Sequence, residues 1–143
     1  MTWKHSRGKR EGAVAVEMAV LAPILLLMVI GLLDYAGAIQ RSIRLEGAAR
    51  VGVQTALADP SDLAGIRAAT LAASDLEADI TEITAERICT CGDGTVIDCG
   101  NVCADGRRVF VDVTVSQPYR TILPYPGLER DLTLSGSASF RAN

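Results

Sequence analysis

AVAVEMAVLAPILLLMVIGLL, Ala13–Leu33, decides the fold of this chain, because 18 of its 21 residues are Ala, Val, Ile, Leu or Met. A helix of that length is about 31 Å long, close to the thickness of a bilayer's hydrocarbon core. Outside this run the composition is ordinary. The whole chain has 143 residues and is 49% apolar, but only 50 of the 110 residues from Asp34 to Asn143 are apolar. The hydrophobicity is therefore concentrated in one segment, which argues against a soluble cytosolic enzyme.

The twelve residues before the run, MTWKHSRGKREG, carry Lys4, Arg7, Lys9 and Arg10 against Glu11. They hold a net charge of +3 in a chain whose total is −3, which leaves −6 on the remainder. Basic residues flanking an apolar span stay on the cytoplasmic side. This predicts residues 1–12 as a cytoplasmic leader, 13–33 as a transmembrane segment, 34–58 as a continuing stalk helix and 59–143 as a periplasmic head. Basic residues gathered at the start rather than along a later face do not suit nucleic-acid binding, so no such partner is expected.

Three fates fit this topology. A secretory signal peptide finds an A-x-A match at Ala36-Gly37-Ala38, but the apolar run exceeds a usual h-region and carries Glu17 near its start. An uncleaved single-span anchor needs only the length of the run. The third reading uses Gly12 and Glu17 together. A carboxylate inside an apolar span costs about 2.5–3.5 kcal/mol on insertion scales, less near the interface, and so calls for a function. Glycine at the end of a basic leader, with Glu five residues on, resembles the site that prepilin peptidases cut. Cleavage after Gly12 would put a new α-ammonium on Ala13, about 6 Å along the helix from Glu17. A neighbouring subunit's ammonium could neutralise Glu17 in the apolar interior, where a paired charge is tolerated. Pro23, inside the same run, reads either as a tolerated kink or as a point where the helix bends during packing into a filament.

The stretch Arg7–Ala56 resembles the start of the TadE-like pseudopilins of tight-adherence (Tad, Flp-type) pilus systems. The match is carried by Gly12, Glu17 with Met18, Pro23, Asp34 with Tyr35, and Glu46-Gly47-Ala48-Ala49-Arg50-Val51-Gly52. The tail resembles the family as well, with a valine-alternating strand, Tyr119, the Pro124–Pro126 turn and a closing Leu-Thr-Leu-Ser-Gly-Ser-Ala-Ser-Phe-Arg. Met18 departs from the pattern, since an aromatic residue commonly follows the Glu. The resemblance implies a minor structural subunit of the inner membrane, a substrate of prepilin peptidase and not itself a catalyst. Its partners would be membrane lipid, other pilin or pseudopilin subunits and the Tad assembly machinery. The rival reading is a secreted or membrane-tethered extracytoplasmic binding module whose helix is only a signal peptide or an anchor.

Beyond the span, Asp34–Ala58 holds no proline and favours helix, which Asp59-Pro60-Ser61 should stop. Ala48, Gly52 and Ala56 put small residues on one face, open to another helix or to the protein's own sheet. Ser61-Asp62 opens a second helix, with Leu63, Ile66, Ala69 or Thr70 and Ala73 at helical steps and an end near Ser74. Val109, Val111, Val113 and Val115 alternate with Phe110, Asp112, Thr114 and Ser116, and Leu132–Phe140 alternates likewise. These predict two antiparallel strands joined by Gln117–Arg130, with a third near Ile80–Ile88. The expected fold is α+β: a long transmembrane and stalk helix, a short second helix and a small antiparallel sheet with a disulfide-stapled loop.

Cys89, Cys91, Cys99 and Cys103 read as two disulfides in an oxidising compartment, with three pairings open. A hairpin-like reversal at Asp93-Gly94 would favour the nested pairs Cys89–Cys103 and Cys91–Cys99. A zinc site is disfavoured because Cys89-x-Cys91 is too tight for the common knuckle. Asp93, Asp98 and Asp105 lack the spacing of a calcium loop and read as a solvated acidic loop. His5, the only histidine, lies in the leader, so no Ser-His-Asp or Cys-His arrangement can form in the head. No nucleotide or metal motif is present, and neither a cofactor nor catalysis is expected.

Overall fold

The computed structural model describes residues 8–75, 81–125, 127 and 129–142. Their order is α1 (Gly8–Thr55), α2 (Leu63–Ser74), β1 (Glu82–Cys91), β2 (Val96–Ile97), β3 (Arg107–Arg120) and β4 (Asp131–Ala142). The four strands form one antiparallel sheet in the order β2-β1-β3-β4. This is the expected α+β arrangement of a long apolar helix, a short helix and a small sheet with two disulfides.

α1 runs without interruption for 48 residues and passes through Pro23. It begins before the expected Ala13, because Lys9, Arg10 and Glu11 are good helix formers and a helical glycine costs only about 1 kcal/mol. It stops three residues short of Ala58. There Leu57 and Ala58 donate to Gln54 and Thr55, tightening the last turn into three-residue steps before Pro60.

The head lies along the second half of α1. Leu45, Ala48, Ala49, Val53 and Ala56 are buried against Val111, Val113 and Val115 of β3, Ala85 of β1 and Ile66 of α2. Fifteen residues of helix from Gly37 to Gly52 cover about 22 Å, and six residues of strand from Tyr119 to Val113 about 20 Å. The two rises match, so one strand can follow the helix from Gly37, against Tyr119, to Gly52, against Val113. The small residues serve this internal packing. A Cβ at Gly136 of β4 would overlap the Leu45–Glu46 backbone, and one at Gly52 would overlap the Thr70 hydroxyl of α2.

α2 starts where Asp62 accepts the Gly65 amide at 2.9 Å, an N-cap bond. Its inward face is Ile66, Thr70 and Ser74, with Ala73 outward. The two hydroxyls bury without penalty because Thr70 donates to the Ile66 carbonyl and Ser74 to that of Leu71, both at 2.7 Å.

β3 alternates as its valines require and continues the inward row into Gln117, which is 3% exposed. It therefore runs past the expected end at Ser116 to Arg120, shortening the connection to residues 121–130. Pro118 lies two residues beyond Ser116, the last β3 residue that the described part of β1 pairs, and stands opposite Thr133 of β4. β1 occupies Glu82–Cys91; Ile80, at the start of the expected third strand, lies outside the described residues. On β1, Ile83 joins the core, while Ile88 sits on the opposite face, across from Phe110.

The disulfides are Cys89–Cys99 and Cys91–Cys103, interleaved and not nested. The hairpin register is the reason. Cys89 faces Ile97 and Thr90 faces Val96, so Cys99 lies beside Arg87 and its sulfur is 3.9 Å from the Arg87 carbonyl. Cys91 is four residues from that level, about 13 Å along the strand. Cys99 can therefore reach Cys89, and the turn at Asp98–Asn101 returns Cys103 toward Cys91.

Candidate functional site

Two places hold chemistry beyond packing. One is the bare half of α1. Every residue from Gly12 to Val29 is exposed, including Glu17, and a stretch of this helix has a mean hydropathy of 2.6 with none of it buried. Nothing lies within 4 Å of where a Cβ on Gly12 would stand. Gly12, Ala13 and Glu17 thus share an open helical stretch, and among the described residues Glu17 has no ion-pair partner. Lys4, His5 and Arg7 lie outside the described residues, and the side chains of Lys9 and Arg10 are likewise not described.

The second place is Asp34, the first residue after the apolar run. It is only 4% exposed. Its carboxylate accepts the Ile122 amide at 2.9 and 3.1 Å, the Leu123 amide at 3.4 Å and the Tyr125 hydroxyl at 2.8 Å. The Tyr119 hydroxyl donates to the Asp34 backbone carbonyl at 2.9 Å and approaches a carboxylate oxygen at 3.5 Å. A buried carboxylate is tolerated when its oxygens are occupied in this way. The Ile122 amide most strongly, then the Tyr125 hydroxyl and the Leu123 amide, hold the Asp34 carboxyl below its ordinary value against the opposing effect of burial. The phenols move the other way. Burial and then the Asp34 charge raise Tyr119, and the hydrogen bond to Asp34 and then burial raise Tyr125. Arg41, two turns along α1, stands over the Tyr119 ring at 5.6 Å. A cleft of about 220 Å³ among these groups is lined by Gly31, Tyr35, Ala38, Tyr119, Tyr125 and Leu132.

Asp34 thus pins the β3–β4 connection to the helix where the apolar span ends. In the sequence, Asp34, Tyr35 and Tyr119 stand out only as marks of resemblance. The meeting of Asp34 with Tyr119 and Tyr125, 85 and 91 residues on, has no local periodicity to announce it.

The cysteines sit at the opposite end of β3, about 43 Å from the Asp34 cluster along the strand. Beside them, Asp93 accepts from the amide and hydroxyl of Thr95, and Asp98 from the Gly100 amide. These are turn-forming bonds. Among the described residues no three His, Cys, Asp or Glu side chains converge to hold a metal ion.

Comparison with known families bears on the same helix. Residues 12–54 match the TadE-like protein family. The match covers under a third of the chain, lies wholly within α1 and begins at Gly12. No significant match is found among curated proteins or among solved structures. The TadE-like segment includes the exposed apolar stretch, Glu17, Asp34 and the helix face that carries the head. The β-sheet and its disulfides lie outside it.

Proposed function

We propose that this chain is a minor, pilin-like structural subunit of a tight-adherence pilus apparatus. It is held in the inner membrane by Ala13–Leu33 with its head in the periplasm, and it is cut by prepilin peptidase after Gly12. The observation that carries this reading is an apolar helix surface left uncovered from Gly12 to Val29, with Glu17 inside it, in a segment that matches the TadE-like family. An apolar helix in a membrane gains little from lipid contact alone and is free to pack with other helices. Glu17 then acts as a register mark. It is costly beside lipid and satisfied only where another subunit presents a cation, such as the ammonium of a processed Ala13. The protein acts by assembling with other pilin or pseudopilin subunits and not as a catalyst.

Glu17→Ala tests the role of the carboxylate. The substitution makes the span more apolar, so membrane insertion should be unchanged, while pilus assembly should fall. Normal pilus output from cells carrying Glu17→Ala would remove that role.

A further inference from the structure

All three tyrosines of the chain, Tyr35, Tyr119 and Tyr125, gather at the level of Asp34. With Ala13 at one edge of the hydrocarbon core, 21 residues of helix bring Asp34 to the other edge. Tyrosine favours that depth because its ring suits the acyl boundary and its hydroxyl the headgroups. Tyr35 is 68% exposed there. Tyr125 reaches further in, and a Cβ on Gly31, inside the span, would lie 3.7 Å from its hydroxyl. The backbone between the two head tyrosines cannot be elsewhere, because the Ile122 and Leu123 amides are bonded to Asp34. Ile122 itself is 60% exposed, a large apolar side chain held at the edge of the span.

We propose that the Thr121–Tyr125 segment of the β3–β4 connection is a membrane contact, with Ile122 in the headgroup and upper acyl region of the bilayer. The occupant of this surface is phospholipid. The neighbouring charges balance, Arg120 and Arg130 against Glu129 and Asp131, so the contact does not need anionic lipid. The head is thereby held against the membrane at one end, with its disulfide loop directed away. The inference rests on residues 13–33 spanning the bilayer, and its test separates the two claims.

Trp3, the single tryptophan, is replaced by Phe, and one tryptophan is introduced in turn as Ile122→Trp, Val102→Trp or Leu26→Trp. Val102, 95% exposed in the disulfide loop, reports the far end of the head, and Leu26, 62% exposed, reports the span. Each full-length protein is placed at one copy per nanodisc of phosphatidylcholine brominated near the headgroup or deep in the chains. The proposal expects the tryptophan at 122 to lose most of its emission to shallow bromines and to emit further to the blue than that at 102. The tryptophan at 26 should be quenched by deep bromines, and that at 102 by neither lipid. If position 26 is quenched while position 122 behaves like position 102 and is open to acrylamide, the loop contact is wrong and the span stands. If position 26 is not quenched, the span fails and the proposal with it. Protection of position 122 only in discs holding several copies would put a second chain there in place of lipid and overturn the proposal.

Discussion

Adding one methyl group at Gly136 tests how the head is mounted on the stalk. In β4 this glycine faces the backbone of α1, and a Cβ there would overlap the Glu46 nitrogen and the Leu45 carbonyl carbon. Neither partner is the end of a flexible side chain. Relief requires strand and helix to separate, which also loosens Leu45, fully buried at the same contact. Overpacking of this kind costs about 1–3 kcal/mol. Gly47 provides the contrast, since it lies on the exposed face of the same helix with nothing within 4 Å of a Cβ. Gly47→Ala should gain up to about 1 kcal/mol from helix propensity alone. For a head of this size roughly 4 °C accompanies each kcal/mol. Thermal unfolding of the full-length protein in detergent, followed by circular dichroism, should show Gly136→Ala melting about 4–12 °C lower and Gly47→Ala a few degrees higher. Equal melting temperatures for Gly136→Ala and the parent would refute the close approach of β4 to α1.

The interleaved disulfides predict that the double variant Cys91→Ser/Cys103→Ser still forms Cys89–Cys99 and shows no free thiol by alkylation and mass spectrometry, at a loss of about 2–4 kcal/mol. Under nested pairing the same variant would leave two stranded thiols. Asp34 predicts an acid-side slope. Its folded-state pKa lies below the ordinary 3.8, so its contribution to stability is complete above that value and is lost as pH falls through it toward the folded-state pKa. Denaturant midpoints of the parent and Asp34→Asn should therefore converge on acidification below about pH 4, and a constant gap across that range would contradict the argument. On the alkaline side Tyr119 and Tyr125 are raised, so their contribution is complete below pH 10 and is lost as pH climbs through their folded-state values. In Tyr119→Phe, spectrophotometric titration should lose a phenol that ionises above the ordinary value of 10.0, and loss of one that ionises at the ordinary value would count against the Asp34 contact.

What is legible in the sequence is whatever repeats over a few residues. The apolar run marks the bare helix, Ser61-Asp62 the cap of α2, and the valines of β3 their inward row, because each pattern is set by 3.6- or 2-residue geometry. Where hydroxyls satisfy themselves, the pattern slips: Ser74 takes the inward place expected of Ala73 because it bonds back to Leu71. Pattern alone puts Gln117 and Tyr119 in a loop because Pro118 stands between them, yet the strand continues through that proline, paired with β4 as far as Arg120. The cysteine pairing follows from a hairpin register set by β2, only two residues long and carrying no signal of its own. The Asp34 cluster depends on α1 and the β3–β4 connection meeting in space, which no local spacing encodes. Gly12 and Glu17, by contrast, are legible as a pattern and gain from the structure an open, uncovered setting.

In the proposed role the helix is an assembly element that stays on the protein when cleavage after Gly12 removes the leader, and N-terminal sequencing of the protein extracted from membranes tests this most directly. The mature chain should then start at Ala13. A start at Met1 would make the helix a simple anchor, and a start at Ile39 a signal peptide on a secreted head; either result would contradict it.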